Sequence, residues 1–327
     1  MKRLFTMILV FSLFVLGFFA SGVSAKEVVL KLSHTGAPTH HYQLGSLKFA
    51  ELVEQKTNGE VKVQVYPSDS LAPQRESTEG AQFGTIDMVL TSSMIVSNFE
   101  PLIGVFDLPF IFTTREQTYS ILDGPIGERV AKKVEGVGLV ILAYWENGFR
   151  HITNNVRPIH TPDDLKGLKI RVPESPVSID TFKALGALPT PISFGELYSA
   201  LQLGVVDGQE NPLAHLIESR FYEVQKHCSL TGHLYTAEPL IISKLIWERL
   251  TPDQQKAIKE AAIEAGTYER NLSAERDKQY LQEAKDKGVQ FVEDPDIPAF
   301  KKAVQPVYEK YGPKFGDVFN EIIAASK

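Results

Sequence analysis

The chain has 327 residues, of which 43% are hydrophobic, and a formal net charge of -6 at pH 7. Because one hydrophobic core usually stops growing at roughly 250–300 residues, this length predicts a globular protein with two domains. An acidic chain without a basic run excludes an extended electrostatic surface for nucleic acid or anionic lipid. Any anion that it binds must therefore be held in a local pocket.

The N-terminus has the three parts of a secretory signal. Two basic residues precede an apolar run over residues 4–20, and small residues occupy positions 21–25. This order predicts a signal peptide over 1–25, cleavage after Ala25 and a periplasmic mature protein. An uncleaved membrane anchor is the alternative, and the small, polar flank after the apolar run disfavours it.

The next part of the chain alternates between strand and helix patterns. In chain order, the predicted elements are a strand over 28–33, a helix over 42–57, a strand over 61–65, a helix over 73–83, and strands over 86–90 and 137–144. Such alternation is typical of an α/β domain with a mainly parallel sheet.

A second set of elements predicts another α/β unit. It comprises a strand over 150–153, a helix start over 161–164, a strand over 168–172, a helix over 193–203 and a polar turn over 205–212.

A long helix is predicted near the C-terminus. Thr251 and Gln254 have capping-box spacing, Pro252 takes the first helical position, and Gly266 is the strongest helix breaker before Gly288. At 1.5 Å per residue, this helix would measure about 50 Å and could span both domains. The alternative is two helices broken at Gly266.

Motifs for cofactors or catalysis are missing from the sequence. The glycines at 136 and 138 have no third glycine at 141, and no phosphate-binding loop, nucleophile elbow or HExxH segment occurs. We therefore predict no cofactor and no enzymatic activity. The alternative, a secreted hydrolase or lyase with His34, His41 or Glu146 as general acid or base, has no recognisable nucleophile with its base.

Two residue types that often carry chemistry have simpler interpretations. His34, His40 and His41 lack paired acidic or cysteine ligands, so we interpret them as polar loop groups and predict no metal site. Cys228 is the single cysteine and has no obvious partner to lower its thiol pKa. We predict that it is a packed structural residue.

Arginines and an amide in the middle third are the positive signals for binding. Arg171 lies at the carboxyl end of the strand over 168–172, on the same face as Lys169. Ligands of open α/β sheets bind beyond those strand ends, and an arginine fork matches a carboxylate. The alternative is a solvated strand face. Arg150 and the polar run that contains Asn211 are weaker signals of the same kind.

Several ordered motifs resemble those of the DctP-type solute-binding proteins of TRAP transporters. They are residues 164–173, 186–191, 196–198, 206–212 and 222–226. The resemblance covers nearly all of the mature chain and implies a two-lobed, periplasmic-binding-protein-like α/β fold with a long helix spanning both lobes. We expect lobe I to comprise 26–148 plus about 236–276, and lobe II 149–235 plus about 277–327.

The same resemblance implies roles for individual residues. Arg171 matches the arginine that pairs with the ligand carboxylate, Arg150 a second arginine, Asn211 an amide contact and Phe194 an aromatic in the cleft. The remaining candidates for ligand contact are His34, Ser92, Ser93, Glu146, Asn147, Glu76 and Glu210.

The implied function is capture of a small organic acid for TRAP membrane permease subunits by a protein that we expect to be monomeric. We predict a uronate or related sugar acid as the ligand. A C4-dicarboxylate or 2-oxo acid is the alternative, since a second carboxylate could use Lys169 or the histidines. A binding module that acts as a sensor would share the same pocket.

Overall fold

The computed structural model describes residues 27–325, so the predicted signal peptide and its cleavage site lie outside the described residues. Within this range the chain forms one mixed sheet flanked by helices. Its strands are β1 (Val28–Ser33), β2 (Val61–Tyr66), β3 (Met88–Leu90), β4 (Leu139–Asn154), β5 (Lys169–Val172), β6 (Leu188–Pro191), β7 (Gly208–Asn211), β8 (His227–Ser243) and β9 (Gln290–Val292).

Helices cover both faces of the sheet. They are α1 (His41–Lys56), α2 (Gln74–Phe83), α3 (Ser93–Val96), α4 (Arg115–Leu122), α5 (Pro125–Glu135), α6 (Pro176–Ala184), α7 (Leu197–Gln202), α8 (Leu213–Glu218), α9 (Lys244–Trp247), α10 (Pro252–Asp286), α11 (Ile297–Ala303) and α12 (Gln305–Ala325). Short 3₁₀ helices occupy Pro101–Asp107, Pro162–Leu165, Phe194–Glu196 and Phe221–Glu223. In the described part of the chain, no helix has both the length and the apolar character needed to cross a membrane.

Two long antiparallel strands, β4 and β8, form the centre of the sheet. The strand order is β2-β1-β3-β8-β4-β7-β5-β6, and β9 pairs with β8. On one side β1 pairs in parallel with β2 and β3, and on the other β5 pairs in parallel with β6 and β7. The predicted parallel pairing therefore holds in the two flanks, whereas the centre that joins them is antiparallel.

Two strand predictions need correction. The separate strands predicted over 137–144 and 150–153 are one strand, β4, because residues 139–154 pair with β8 through three register shifts. The turn predicted over 205–212 contains β7, which is fully buried between β4 and β5. Ladder hydrogen bonds thus overcome the turn preference of this polar segment.

The helix predicted over 193–203 begins differently from its capping-box spacing. Ser193 Oγ donates to Glu196 Oε2 at 2.9 Å, and neither side chain caps the helix backbone. A 3₁₀ turn therefore precedes α7, and this turn includes Phe194.

Helix α10 is continuous over 35 residues, and its predicted capping box is present at Thr251. Gly266 does not break it, so the two-helix alternative is wrong. A Cβ at Gly266 would lie 2.7 Å from Cδ1 and Nε1 of Trp145, and the same indole donates to Ala262 O at 3.0 Å. The glycine therefore permits close packing of the helix on β4.

The long helix joins two separate apolar cores. Its first half contributes Ile258 and Ala262 to a core that also contains Leu30 and Phe49. Its second half contributes Tyr280, with others, to a core built around α7 and α8. The helix thus spans both flanks of the sheet, as predicted.

Candidate functional site

The site lies in a cleft where β4 and β8 pass from one flank of the sheet to the other. A small cavity opens there. Its lining residues are Thr35, Gln74, Ser92, Asn147, Arg150, Arg171, Pro173, Phe194, Asn211, His215 and Glu238. A second small cavity shares Gln74, Arg171 and Phe194 with the first, and Glu76 lies in its lining. We call the two cavities together the cleft.

A bulge in β4 brings two residues of the strand to the cleft. Asn147 and Arg150 are three residues apart, which in a regular strand would place them on opposite faces. The pairing with β8 shifts register between Glu146 and Gly148, and Gly148 has a φ of 117°. The extra residue reverses the alternation of side chains between the two faces of the sheet, so Asn147 and Arg150 both line the cleft.

Arg171 is a buried cation without an acidic partner. Its side chain is 3% exposed, its Nε donates to Ile192 O at 2.8 Å, and it forms no ion pair with an Asp or Glu among residues 27–325. Burial lowers the pKa of Arg171 to about 9, although the charge of Glu210 counteracts this effect. Keeping this charge buried costs free energy, and a bound anion would recover part of it.

The two basic residues of β5 differ in exposure, so a solvated strand face describes only one of them. Lys169 is exposed, whereas Arg171 is buried and lines both cavities of the cleft. Since Lys169 lines neither cavity, it is not placed to receive a second ligand carboxylate.

Arg150 differs from Arg171 because its charge is neutralised within the protein. Its Nε donates to Glu210 Oε2 at 2.5 Å, and its Nη2 donates to Glu210 Oε1 at 2.9 Å and to Glu210 O at 2.6 Å. Burial would raise the pKa of Glu210, but Arg150 and His233 lower it to about 2. The pair holds Arg150 in position, and Arg150, Glu210 and Arg171 together carry one net positive charge. This charge matches a single carboxylate.

Amide and aromatic groups complete the wall near the arginines. Asn211 Nδ2 donates to Gln209 Oε1 at 2.5 Å, which fixes the orientation of the Asn211 side chain at the end of β7. Phe194 packs edge-on against His215, with ring centroids 4.9 Å apart. Asn147 Oδ1 is buried and has no hydrogen-bond partner in the described range. Such an acceptor is suited to a ligand hydroxyl.

Sequence reasoning did not identify Glu238, which is 1% exposed in the cleft. Its Oε1 accepts from Gln74 Nε2 at 3.4 Å, and its Oε2 makes no hydrogen bond of good geometry among the described residues, although the side chains of Tyr42 and Asn147 lie close to the carboxyl. Burial raises the pKa of Glu238 to about 8. Its position between Ala237 and Pro239, directly before the apolar run over 240–242, is a signal that could have identified it, because glutamate is rarely fully buried unless it is paired.

One histidine, His215, lines the cleft, and two more pack in a cluster with it. His215 from α8 stacks on His40, which caps α1, with ring centroids 4.5 Å apart, and His41 lies 3.9 Å from His40. Burial lowers the pKa of all three rings, so they are neutral at pH 7. Gln74 and Thr35 are further lining residues that sequence reasoning missed.

Several predicted residues lie outside the cleft lining. His34 Nε2 pairs with Gln43 Oε1 at 2.8 Å, and Ser93 Oγ donates to Asp107 Oδ1 at 2.5 Å. Ser92 does line the cleft, and as the N-cap of α3 its Oγ accepts a hydrogen bond from Met94 N at 3.2 Å.

Glu146 belongs to a buried network away from the cleft. Its carboxylate accepts hydrogen bonds from Arg115 Nε (2.9 Å), Tyr119 Oη (2.5 Å), Ser273 Oγ (2.8 Å) and Tyr235 Oη (3.2 Å). These partners saturate the carboxylate of Glu146. The sequence predicted that Glu146 lies beside the ligand, but the structure places it elsewhere.

Comparisons with known proteins identify the family of the chain. Residues 32–314 match the family model DctP, described as bacterial extracellular solute-binding protein, family 7. The 2,3-diketo-L-gulonate-binding periplasmic protein YiaO of Escherichia coli is 35% identical, over 95% of this chain and 97% of its own length.

Solved structures share the fold over most of the chain. A TRAP periplasmic solute binding protein from Polaromonas sp. JS666, bound to D-erythronate, is 40% identical with a TM-score of 0.89, covering 91% of this chain and 99% of its own. The sugar acid binding protein DctPAm from Advenella mimigardefordensis, in complex with galactonate, is 32% identical with a TM-score of 0.89, covering 92% of this chain and 98% of its own. The predicted two-lobed fold is thereby confirmed.

Proposed function

The chain belongs to the bacterial extracellular solute-binding proteins of family 7, the DctP family, and we propose that it captures a sugar acid for the membrane permease of a TRAP transporter. The mature protein acts in the periplasm after removal of residues 1–25, and it performs no chemistry on its ligand. Its ligand is a monocarboxylate with several hydroxyl groups, such as a uronate or an aldonate.

The observation that carries this proposal is the unpaired charge of Arg171. Its guanidinium is buried in the cleft, and the neighbouring arginine is already neutralised by Glu210. A ligand carboxylate would give Arg171 a charge-assisted hydrogen-bonding partner and offset the cost of its burial. The site therefore selects for one acidic group.

The rest of the lining supports a ligand rich in hydroxyls. Neutral polar side chains surround the cavity: Thr35, Gln74, Ser92, Asn147 and Asn211. Hydroxyl groups both donate and accept, so they can satisfy amides and hydroxyls of this kind when the cleft excludes water. Relatives of known structure bind D-erythronate and galactonate, which combine one carboxylate with several hydroxyls.

Closure of two lobes would produce the signal that the permease reads. We assign 26–148 with about 236–276 to lobe I, and 149–235 with about 277–327 to lobe II. The crossing of β4 and β8 at the cleft supports these boundaries, since Arg150 pairs with Leu234 and Glu146 with Ala237. A ligand that touches both lobes stabilises the closed state by its differential contacts.

Binding of sugar acids to the mature protein tests the proposal. Galactonate and glucuronate should raise the melting temperature, because a ligand at 100 times its Kd adds about 2.7 kcal/mol of stability. In calorimetry, Arg171→Lys should weaken binding by at least about tenfold, or about 1.4 kcal/mol. Lysine keeps the charge but loses the planar fork.

The control is Arg129→Lys, the same substitution at an exposed helix position. It should leave the Kd unchanged. Absence of binding by any sugar acid, or an equal Kd for a correctly folded Arg171→Lys protein, would contradict the proposed function.

A further inference from the structure

Glu238 lies in the cleft with an unfilled hydrogen-bonding position. It is on β8, opposite Trp145 of β4, and 1% of its surface is exposed. Oε1 accepts from Gln74 Nε2, whereas Oε2 makes no hydrogen bond of good geometry among the described residues, although the side chains of Tyr42 and Asn147 lie close enough to lower the pKa of the carboxyl. A buried carboxyl oxygen without a partner is unfavourable in the empty cleft. A ligand group that hydrogen-bonds to Oε2 would remove this cost.

The surroundings of Glu238 provide no cation for a negatively charged ligand group. Glu238 itself forms no ion pair in the described range, and Arg150 is held by Glu210. Arg75, which lines the second cavity, pairs with Glu174 at 3.3 Å. His215 is neutral because burial lowers its pKa. Of the cleft arginines, Arg171 alone lacks an acidic partner within residues 27–325.

We infer that Glu238 selects the end of the ligand that is remote from the carboxylate, by binding a hydroxyl group there and disfavouring a second carboxylate. This inference rests on the proposed function and specifies its ligand class further. Acids with one carboxylate and a hydroxylated tail fit the cleft, and diacids of the same length do not.

The chemistry of the carboxyl group explains this selectivity. Burial raises the pKa of Glu238 to about 8, so near neutral pH it presents mainly one O–H donor and one accepting oxygen. A hydroxyl can satisfy either atom. A carboxylate can only accept, and its negative charge would be buried beside a group that becomes negative itself when it ionises.

Galactonate and galactarate test the inference, because they differ only at C6, where a hydroxymethyl group is replaced by a carboxylate. The wild-type protein should bind galactonate at least about tenfold more tightly in calorimetry at pH 9, where Glu238 is mostly ionised in the free protein. Glu238→Gln keeps the size of the side chain but cannot become negative. In this variant the ratio of the two Kd values should fall below about threefold, mainly through tighter binding of galactarate.

The matched control is Glu269→Gln, which changes a buried glutamate that does not line the cleft. Its ratio should equal that of the wild type. Equal binding of the two acids by the wild type, or an unchanged ratio in Glu238→Gln, would overturn the inference and leave the proposed function intact. A wild-type protein that binds neither these acids nor glucuronate would overturn both.

Discussion

Replacement of Glu210 by glutamine would show how strongly the protein depends on its buried ion pair. Glu210 and Arg150 are 1% and 2% exposed, and their closest side-chain contact is 2.5 Å. Glu210→Gln keeps the shape but leaves the Arg150 charge buried without a counter-ion. Removal of one partner from a buried pair typically costs about 3–5 kcal/mol.

The pKa of Glu210 gives an independent magnitude. The shift from its ordinary value of 4.5 to about 2 means that the folded state favours the ionised form. At about 1.36 kcal/mol per pKa unit, this preference is worth roughly 3 kcal/mol. Because the folded pKa is depressed, this stability is fully present above the unfolded value and is lost as the pH falls through about 2.

Urea denaturation followed by circular dichroism measures the effect. At pH 7 Glu210→Gln should lower the free energy of unfolding by about 3 kcal/mol, and the difference should shrink below about pH 4.5. Glu321→Gln is the control, since it breaks an exposed pair with Arg129 and should cost less than about 1 kcal/mol. A loss at pH 7 no larger than that of the control would refute the reasoning.

Two further predictions concern packing. Gly266→Ala should destabilise the protein by about 1–3 kcal/mol in urea denaturation, because the new Cβ would collide with Trp145. The control, Thr267→Ala at the exposed neighbouring position, should change stability by less than about 0.5 kcal/mol. Equal stabilities of the two variants would contradict the packing argument. The Cys228 thiol is buried and its pKa is raised, so it should react with a thiol reagent only in denaturant. Rapid labelling of the folded protein would show that the thiol is accessible.

The local elements of the fold were predictable from the sequence because they rest on short-range patterns. The valines at 61, 63 and 65 form β2, and Thr251 with Gln254 starts α10. Local sequence patterns could not reveal that β4 continues past Gly148, because its partner strand, β8, lies far away in sequence. They could not reveal β7 either, because its polar residues are buried by long-range pairing.

The candidate site, like the fold, was predictable from the sequence only in part. Arg171, Arg150, Asn211 and Phe194 were identified from motifs, and the structure brings all four to one cleft. Whether each arginine has a counter-ion depends on tertiary contacts, so the difference between Arg171 and Arg150 could not be predicted.

Glu146 and Asn147 illustrate the limit most directly. They are adjacent in sequence and equally polar, yet Glu146 enters a saturated network and Asn147 lines the cleft. The bulge at Gly148 decides which of them faces the ligand site.

The central position of β8 also affects how the chain acquires its structure. Strand β4 gains its main partner only when His227–Ser243 has been synthesised, and β3 pairs with the same strand. Contacts between such distant segments form slowly, because loop closure must precede them. We therefore expect the growing chain to remain without its central sheet until most of it has left the ribosome.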